Sequence, residues 1–353
     1  MTTPWLDNDL ANHWYAACRS DELPRGAPVS RVVLGVKLVL WRRADGAAVA
    51  ALDRCLHRNA LLSEGKLFGD CLACPYHGWV YRPDGALDHV PSLAPGESPP
   101  ALRLRTHPTR EAAGLVWVWV GPLDPAARPE RQPFPMPHWD EPGWGAYYMT
   151  TRFQNGVTHL VENFMDVPHT VFVHEGWFRR AARKRVPITV ERTPTSVLVT
   201  YDDAGDRIGW SDRILNPGRL PLVHTDKFYL PNTTRVDYLW GEGGAVARAF
   251  VITSTCTPIT PFETEVFTLI SYKLGWLNPL TLGWLPAYTR KVITQDVEIM
   301  RNQGASLQHH GDPEFHGTAA DLLHEDIEAL RAWAEDPSRP APPPRVRRAD
   351  IWV

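Results

Sequence analysis

Four residues in the first hundred have the types and spacing of a metal site, in the segments Cys55-Leu56-His57 and Cys74-Pro75-Tyr76-His77. Sixteen residues, 58–73, separate the halves, and each half offers one thiolate and one imidazole. Two cysteines and two histidines can hold a structural zinc ion. They can equally hold a [2Fe–2S] cluster, with both cysteines on one iron and both histidines on the other. Zinc fingers commonly pair Cys with Cys and His with His. Here each loop contributes one of each, which suits a cluster approached from two sides. Nitrogens in place of two thiolates raise a cluster's potential, to between about −150 and +300 mV. Cys71 has no place in that set and reads as an inert thiol.

A second constellation runs from Glu162 through Asn163, Asp166, Pro168 and His169 to His174. Asp166 and His169, three apart, share one face of a helix. His169 and His174 stand about 140° apart around an ideal helix and would not converge on one ion. Pro168 removes a backbone donor and supplies a reason for distortion, kinking or ending the helix near the ligands. Two histidines need an anionic third ligand to complete a facial triad with open positions for O2. A helix expected over 286–303 carries an apolar stripe of Tyr288, Val292, Ile293, Ile299 and Met300, with Asp296 inside it. A hydrophobe belongs at that position, and a buried carboxylate is costly unless paired or metal-bound. Asp296 is therefore the candidate third ligand, and Glu298, off the stripe, reads as solvated. His159, His309, His310, His316 and His324 have no partner at metal spacing and are expected on the surface or satisfied in the core.

The first segment, with His57-Arg58 and Cys74-Pro75-Tyr76-His77-Gly78-Trp79, resembles the Rieske domain of ring-hydroxylating and demethylating oxygenases. Asn12-His13-Trp14-Tyr15, Leu38-Val39-Leu40-Trp41-Arg42 and Leu62-Ser63-Glu64-Gly65 are similar to segments of that family. Leu56 stands where proline is commoner, at a position that is no ligand. The extra cysteine that respiratory Rieske proteins carry in each ligand loop is absent. Asn163-x-x-Asp166-x-x-His169-x4-His174 resembles the family's mononuclear iron motif, which a distant aspartate, here Asp296, completes. The tight Asn-x-x-Asp spacing and His174-Glu175-Gly176-Trp177 are similar to the smaller monooxygenase branch of dicamba-, sulfonate- and saxitoxin-type enzymes.

The resemblance covers nearly the whole chain. It implies a Rieske [2Fe–2S] cluster on Cys55, His57, Cys74 and His77, and Fe(II) on His169, His174 and Asp296. It also implies a head-to-tail homotrimer in which Asp166 bridges His169 to the histidine matching His77 in a neighbouring subunit. An ordinary orienting role of Asp166 on His169 stays open beside this. Asn163 is implied as a hydrogen-bonding neighbour of the iron.

Positioning these groups takes an α+β chain. Its 353 residues allow two domains, and 33 prolines favour a loop-rich, β-rich fold. Short strands fill the first third, among them residues 32–41, a run at 47–52 after an Asp45-Gly46 turn, and 116–120 with tryptophans on one face and valines on the other. The two tryptophans read as core. Seven prolines in 121–145 mark a boundary, giving an all-β Rieske domain over 1–128 and a catalytic domain over 129–353. There the expectation is a helix at 160–173, then strands at 186–201, 226–240, 245–255 and 264–274 with Gly241-Glu242-Gly243-Gly244 as a hairpin. Helices follow at 286–303 and 318–334, then an extended tail to 344. The resulting sheet wraps around helices in a helix-grip-like manner. Segments 202–227 and 275–285 are candidate lids by position.

With 37 basic and 40 acidic residues the net charge is −3, which excludes a nucleic-acid footprint. The one basic run, 179–185, reads as a solvated loop. No basic start followed by an apolar stretch opens the chain, and no apolar run approaches the roughly 18 residues of a membrane helix. Five cysteines in so long a chain argue for metal chemistry rather than disulfides. The expectation is a cytoplasmic monooxygenase acting with O2 on a small organic substrate. It lacks any flavin or nicotinamide signature, so a separate ferredoxin or flavin reductase must supply electrons. An electron-transfer protein and a cis-dihydroxylating dioxygenase are the alternatives.

Overall fold

A computed structural model describes residues 6–175, 184–202, 215–311, 314–318 and 320–352. Residues 179–183 of the basic run, 176–177 of the segment after His174, and 203–214 of the first candidate lid lie outside the described residues. The chain divides into two compact units, Met1–Pro135 and Met136–Val353.

The first unit is built of three small antiparallel sheets. One has the order β1 (Trp14–Arg19), β11 (Leu115–Trp119), β10 (Thr109–Ala112). The second runs β2 (Val29–Val33), β3 (Val36–Arg42), β4 (Ala48–Leu52), β9 (Thr106–His107). The third runs β5 (Lys66–Phe68), β6 (Cys71–Ala73), β7 (Val80–Tyr81), β8 (Leu87–His89). Period-2 alternation explains β11: Val116, Val118 and Val120 join one apolar core with Tyr15, Leu38 and Leu40. Trp117 and Trp119 point the other way and are equally buried, each indole N–H donating to a backbone carbonyl, of Ala112 and Leu123.

The single strand expected over 32–41 is instead a hairpin. β2 turns into β3 through Leu34 and Gly35, at φ 51° and 73°. A two-residue loop of this kind needs left-handed backbone at both positions. Leucine is not a turn residue, but Leu34 is fully buried, so packing overrides local preference.

In the second unit eight antiparallel strands form one sheet, ordered β12-β18-β17-β16-β15-β14-β13-β19. These are β12 (Gly145–Phe153), β13 (Arg185–Arg192), β14 (Ser196–Tyr201), β15 (Leu222–Tyr229), β16 (Thr233–Glu242), β17 (Ala245–Thr260), β18 (Glu263–Lys273) and β19 (Arg345–Trp352). The helices are α1 (Val157–Met165), α2 (Thr170–Val173), α3 (Leu285–His310) and α4 (Leu322–Glu335). Leu160, Val161 and Met165 of α1 pack with Ile327 and Leu330 of α4 against Val190, Val199 and Phe228 of the sheet. Leu285 and Tyr288 of α3 pack on Trp240, Phe250 and Tyr272. The sheet thus holds its helices as expected.

Several expectations need correction or extension. The run 186–201 is two strands, and so is 226–240, where Pro231 cannot donate to a ladder. The helix over 160–173 is broken into α1 and α2. Residues 222–227 of the first candidate lid belong to strand β15, and 275–281 of the second are a 3-10 turn and one helical turn. The tail after 344 forms a further strand, β19, along β13. That last strand is fastened electrostatically: Asp326 of α4, fully buried, accepts from Arg192 at 2.8 Å and Arg347 at 3.0 Å and also pairs with Arg345. Among the described residues no helix is long and apolar enough to cross a membrane.

Candidate metal centres

The cysteine–histidine residues sit on two loops with one backbone design. In the loop after β4, the Cys55 N–H donates to Ala60 O at 2.9 Å and the Cys55 carbonyl accepts from Asn59 N–H at 3.0 Å. In the loop between β6 and β7, Cys74 N–H donates to Trp79 O at 2.8 Å and its carbonyl accepts from Gly78 N–H at 3.1 Å. The closing residue is left-handed in both, Asn59 at φ 59° and Gly78 at φ 71°. These residue types tolerate that backbone best. One frame therefore presents a histidine two residues after Cys55 and three residues after Cys74.

The His57 and His77 rings meet edge-on with centroids 4.5 Å apart, and Trp79 stacks on His57 at 4.6 Å. Cys55 and Cys74 are buried in the apolar cluster of Trp41, Leu62 and Leu72, while His77 is exposed. Tyr81, which the sequence reading missed, places its hydroxyl 3.2 Å from Cys55 Sγ and accepts the Leu56 N–H at 3.1 Å. Asp53, also missed, roots the first loop by accepting from Ser63 N–H at 2.8 Å and from the hydroxyls of Ser63 and Ser30. A strand-end aspartate before a ligand cysteine gave no local signal for that role.

Burial, with Cys55 beside it, pushes the Cys74 thiol up, and burial with His77 and Arg58 nearby pushes His57 down. The His57 Nδ1 atom is buried without a hydrogen-bond partner. Ligand atoms of a single tetrahedral zinc lie roughly 4 Å from one another. Among the described residues, the one group of three or more such atoms all within 4.8 Å is a different one. The four residues thus fit a two-iron cluster better than one zinc ion. Cys71 is half-buried with its thiol pushed up by burial, and it joins neither group.

The other group is His169, His174 and Asp296. Helix α1 stops at Met165, Asp166 leaves helical backbone at φ −85°, ψ 108°, and the chain turns back into α2 after His169. Val167, preceding Pro168, disfavours the helical region, so the chain leaves the helix beside the proline. It swings the two imidazoles together. His169 Nε2 lies 3.5 Å and His174 Nε2 3.2 Å from Asp296 Oδ1, with ring centroids 5.2 Å apart. Yet this oxygen, buried, makes no hydrogen bond of sound geometry to either nitrogen. Three donor atoms crowd one space without satisfying each other, which is what a cation would resolve.

Burial alone would depress His169, but the Asp166 and Asp296 carboxylates override it and lift the group to about 9. Burial would raise Asp296; His169 and His174 hold it low instead.

Around this triad, the His169 backbone N–H donates to Asp166 Oδ2 at 3.0 Å, and His169 Nδ1 lies 3.5 Å from the same oxygen. Gln295, not singled out in the sequence, places Oε1 3.0 Å from His174 Nδ1. Its one signal was adjacency to Asp296. Asn163 is buried with its side-chain oxygen unpartnered. On α3, Tyr288, Asp296 and Met300 are buried as expected, but Ile299 is 39% exposed and does not belong to the stripe. His159 and His324, expected on the surface or satisfied in the core, share Glu162, whose Oε2 is 3.6 and 3.9 Å from their Nδ1 atoms. The triad opens onto a cavity of about 120 Å³ walled by α1, α3 and the inner face of the sheet, including Asn163, Val236, Phe250, Ile252 and Asp226.

Residues 13–108 match the family model of the Rieske [2Fe-2S] domain, and residues 156–345 match that of the vanillate O-demethylase oxygenase C-terminal domain. The dicamba O-demethylase oxygenase component of Stenotrophomonas maltophilia is 36% identical over 257 residues, which make up 70% of this chain and 70% of that protein. The iron-sulfur subunit of the toluene-4-sulfonate monooxygenase system of Comamonas testosteroni is 32% identical over 187 residues, 53% of this chain. The match spans about half of that relative's length, 52%. A crystal structure of dicamba monooxygenase bound to dicamba shares the fold, with TM-score 0.79 at 22% identity over 94% of this chain and 99% of that one.

Proposed function

Because the chain belongs to the Rieske non-heme iron oxygenases, we propose that it is the oxygenase component of a multicomponent monooxygenase that hydroxylates or demethylates a small organic molecule. The observation that carries this reading is the convergence of His169, His174 and Asp296 on one point at the wall of a largely apolar cavity. These three residues would hold Fe(II), and Cys55, His57, Cys74 and His77 the [2Fe–2S] cluster. When bound, the cluster supplies single electrons and the iron the chemistry that activates O2.

The chain's own part is positioning. Gln295 fixes the His174 tautomer by accepting from Nδ1–H, leaving Nε2 as the ligand atom. Asp166 orients His169 by accepting its backbone N–H, and the same carboxylate oxygen lies 3.5 Å from the ring Nδ1. The apolar wall of Val236, Phe250 and Ile252 keeps water from the reacting centre. Asn163 offers an unpartnered acceptor beside the triad.

The remaining parts of the reading follow from the family. The domain boundary proposed from the prolines, 1–128 for the cluster domain and 129–353 for the catalytic one, lies seven residues ahead of the division between the compact units at Pro135. Three chains assemble head to tail, so that Asp166 connects His169 to a neighbouring cluster, and a separate ferredoxin or flavin reductase supplies electrons in the cytoplasm. A dihydroxylating dioxygenase would use the same ligands; the monooxygenase and demethylase names of the relatives favour the first reading.

The test is the optical and EPR spectrum of purified protein with iron and labile-sulfide counts, followed by 18O2 turnover. The reading expects a Rieske spectrum, an additional mononuclear iron, and one labelled oxygen per substrate consumed. Stoichiometric zinc with no labile sulfide would sink it, and two labelled oxygens in one product would move it to the dioxygenases.

A further inference from the structure

The cavity is lined by three aspartates, Asp166, Asp226 and Asp296, and among the described residues by no lysine or arginine. Two of the three adjoin the histidine pair; Asp226 takes no part there. It comes from β15, whose alternate positions Leu222, His224, Asp226 and Phe228 are all buried, and it is only 2% exposed. A carboxylate at that depth must be held. The Tyr201 hydroxyl donates to Asp226 Oδ2 at 2.8 Å, and His224 Nε2 lies 3.0 Å from Oδ1. His224 is itself clamped between the rings of Tyr201 and Tyr238, at centroid distances of 4.4 Å on both sides. That clamp fixes Nε2–H on the carboxylate.

Asp226 is thus a rigid fixture of the sheet with acceptor capacity to spare. A carboxylate offers about four lone-pair positions, and these two donors occupy two. Of the other polar groups of the wall, the Ser254 and Thr268 hydroxyls pair with each other at 2.9 Å and Thr289 with Tyr147 at 2.8 Å, while the unpartnered Asn163 oxygen lies beside the triad. The neighbouring wall of Val236, Phe250 and Ile252 offers no hydrogen bond. An organic anion placed against Asp226 would meet a like charge in a low dielectric, with no lysine or arginine among the described lining residues to offset it. A hydroxyl or amino donor would instead form a charge-assisted hydrogen bond.

We propose that Asp226 selects and orients the substrate, accepting a hydrogen bond from a hydroxyl or amino group on an otherwise apolar molecule. The enzyme would then disfavour organic anions such as the sulfonate in the name of one relative. This rests on the oxygenase reading, which makes the cavity the substrate pocket.

Equilibrium dialysis tests it on the iron- and cluster-loaded protein without reductant. The probes are toluene, 4-methylphenol, 4-methylaniline and toluene-4-sulfonate, which share one ring and one methyl group. The phenol and the aniline are expected to bind about tenfold or more tighter than toluene, and the sulfonate more weakly than toluene. Asp226→Asn should shrink the phenol-to-toluene ratio by about tenfold while toluene binds as before. Tyr201→Phe, which leaves the carboxylate in place, should keep the phenol preference, and it decides the matter if the asparagine variant does not fold.

Four equal affinities, including none measurable, overturn the proposal, as does a sulfonate bound as tightly as the phenol. A ratio unchanged in Asp226→Asn, or a preference lost in Tyr201→Phe, reduces Asp226 to a structural member of the sheet. Iron and sulfide counts on the same sample keep the two readings apart, because a protein without mononuclear iron sinks the oxygenase reading whatever the dialysis gives.

Discussion

The cysteine–histidine loops and the histidine–aspartate triad are both metal-ligand sets, but they are built on opposite plans. The loops close on their own backbones, with Cys55 bonded to Asn59 and Ala60 and Cys74 to Gly78 and Trp79, so each carries its geometry locally. The triad has no local geometry of its own. Its histidines cap the two ends of the short helix α2 that follows a helix break, and its carboxylate arrives from α3, more than a hundred residues later. The loops leave His77 exposed, whereas the triad keeps His174 and Asp296 4% and 6% exposed. A local frame suits a group that must meet a partner. A buried convergence of distant elements suits one that must exclude water while leaving room for a substrate.

If that contrast holds, damage to the triad should stay in the triad. Asp296→Ala removes its one anionic ligand, so the mononuclear iron and all turnover should be lost while the cluster spectrum survives. A variant that keeps its iron would show that another carboxylate, Glu162 first, completes the site. Asp166→Asn should leave both centres loaded yet cut product formation by about 100-fold, with the reduced cluster accumulating in stopped-flow absorbance. Turnover near the wild-type rate would rule out the connecting role. Gln295→Leu leaves His174 in place without its partner, so iron affinity in a chelator competition should fall by roughly 10- to 100-fold. An unchanged affinity would mean that α2 alone orients the ring.

The triad should also respond to acid in the metal-free protein. The apo His169 group is raised to about 9, so below that pH an incoming metal must first displace its proton. Iron affinity of the apoprotein should therefore rise about tenfold for each unit between pH 7 and 8. A flat profile would show that the imidazole is already neutral there. The smallest effect belongs to the loops. Gly78→Ala puts a methyl into left-handed backbone, 3.0 Å from Pro91 Cγ, and should cost about 1–2 kcal/mol in thermal unfolding. No change in melting temperature would mean that the loop relaxes and is not a fixed frame.

What could be read from the sequence follows the same division. Cys55, His57, Cys74 and His77 are close in the chain and of unusual types, so pattern alone exposes them. His169 and His174 were visible as types, and their convergence followed from Pro168. Asp296 was visible only because a charge interrupts an apolar stripe, and Ile299 misled for the same reason, since one helical position decides which face a residue shares. The hairpin at Leu34-Gly35, strand β19 and the Asp326 charge knot were hidden because burial, not local preference, produces them. Gln295 and Asp226 were hidden because facing depends on strand and helix register that a sequence does not print.

The twin loops bear on how the protein matures. Small zinc domains fold only as they capture their ion. Here four main-chain bonds and the Asp53 and Tyr81 anchors draw on no metal ligand atom except the Cys55 sulfur near Tyr81. The backbone of the loops is therefore expected to keep its shape when the inorganic core is lost, as a mould outlasts its casting. Circular dichroism of the protein stripped of iron and sulfide should then keep its strand signal.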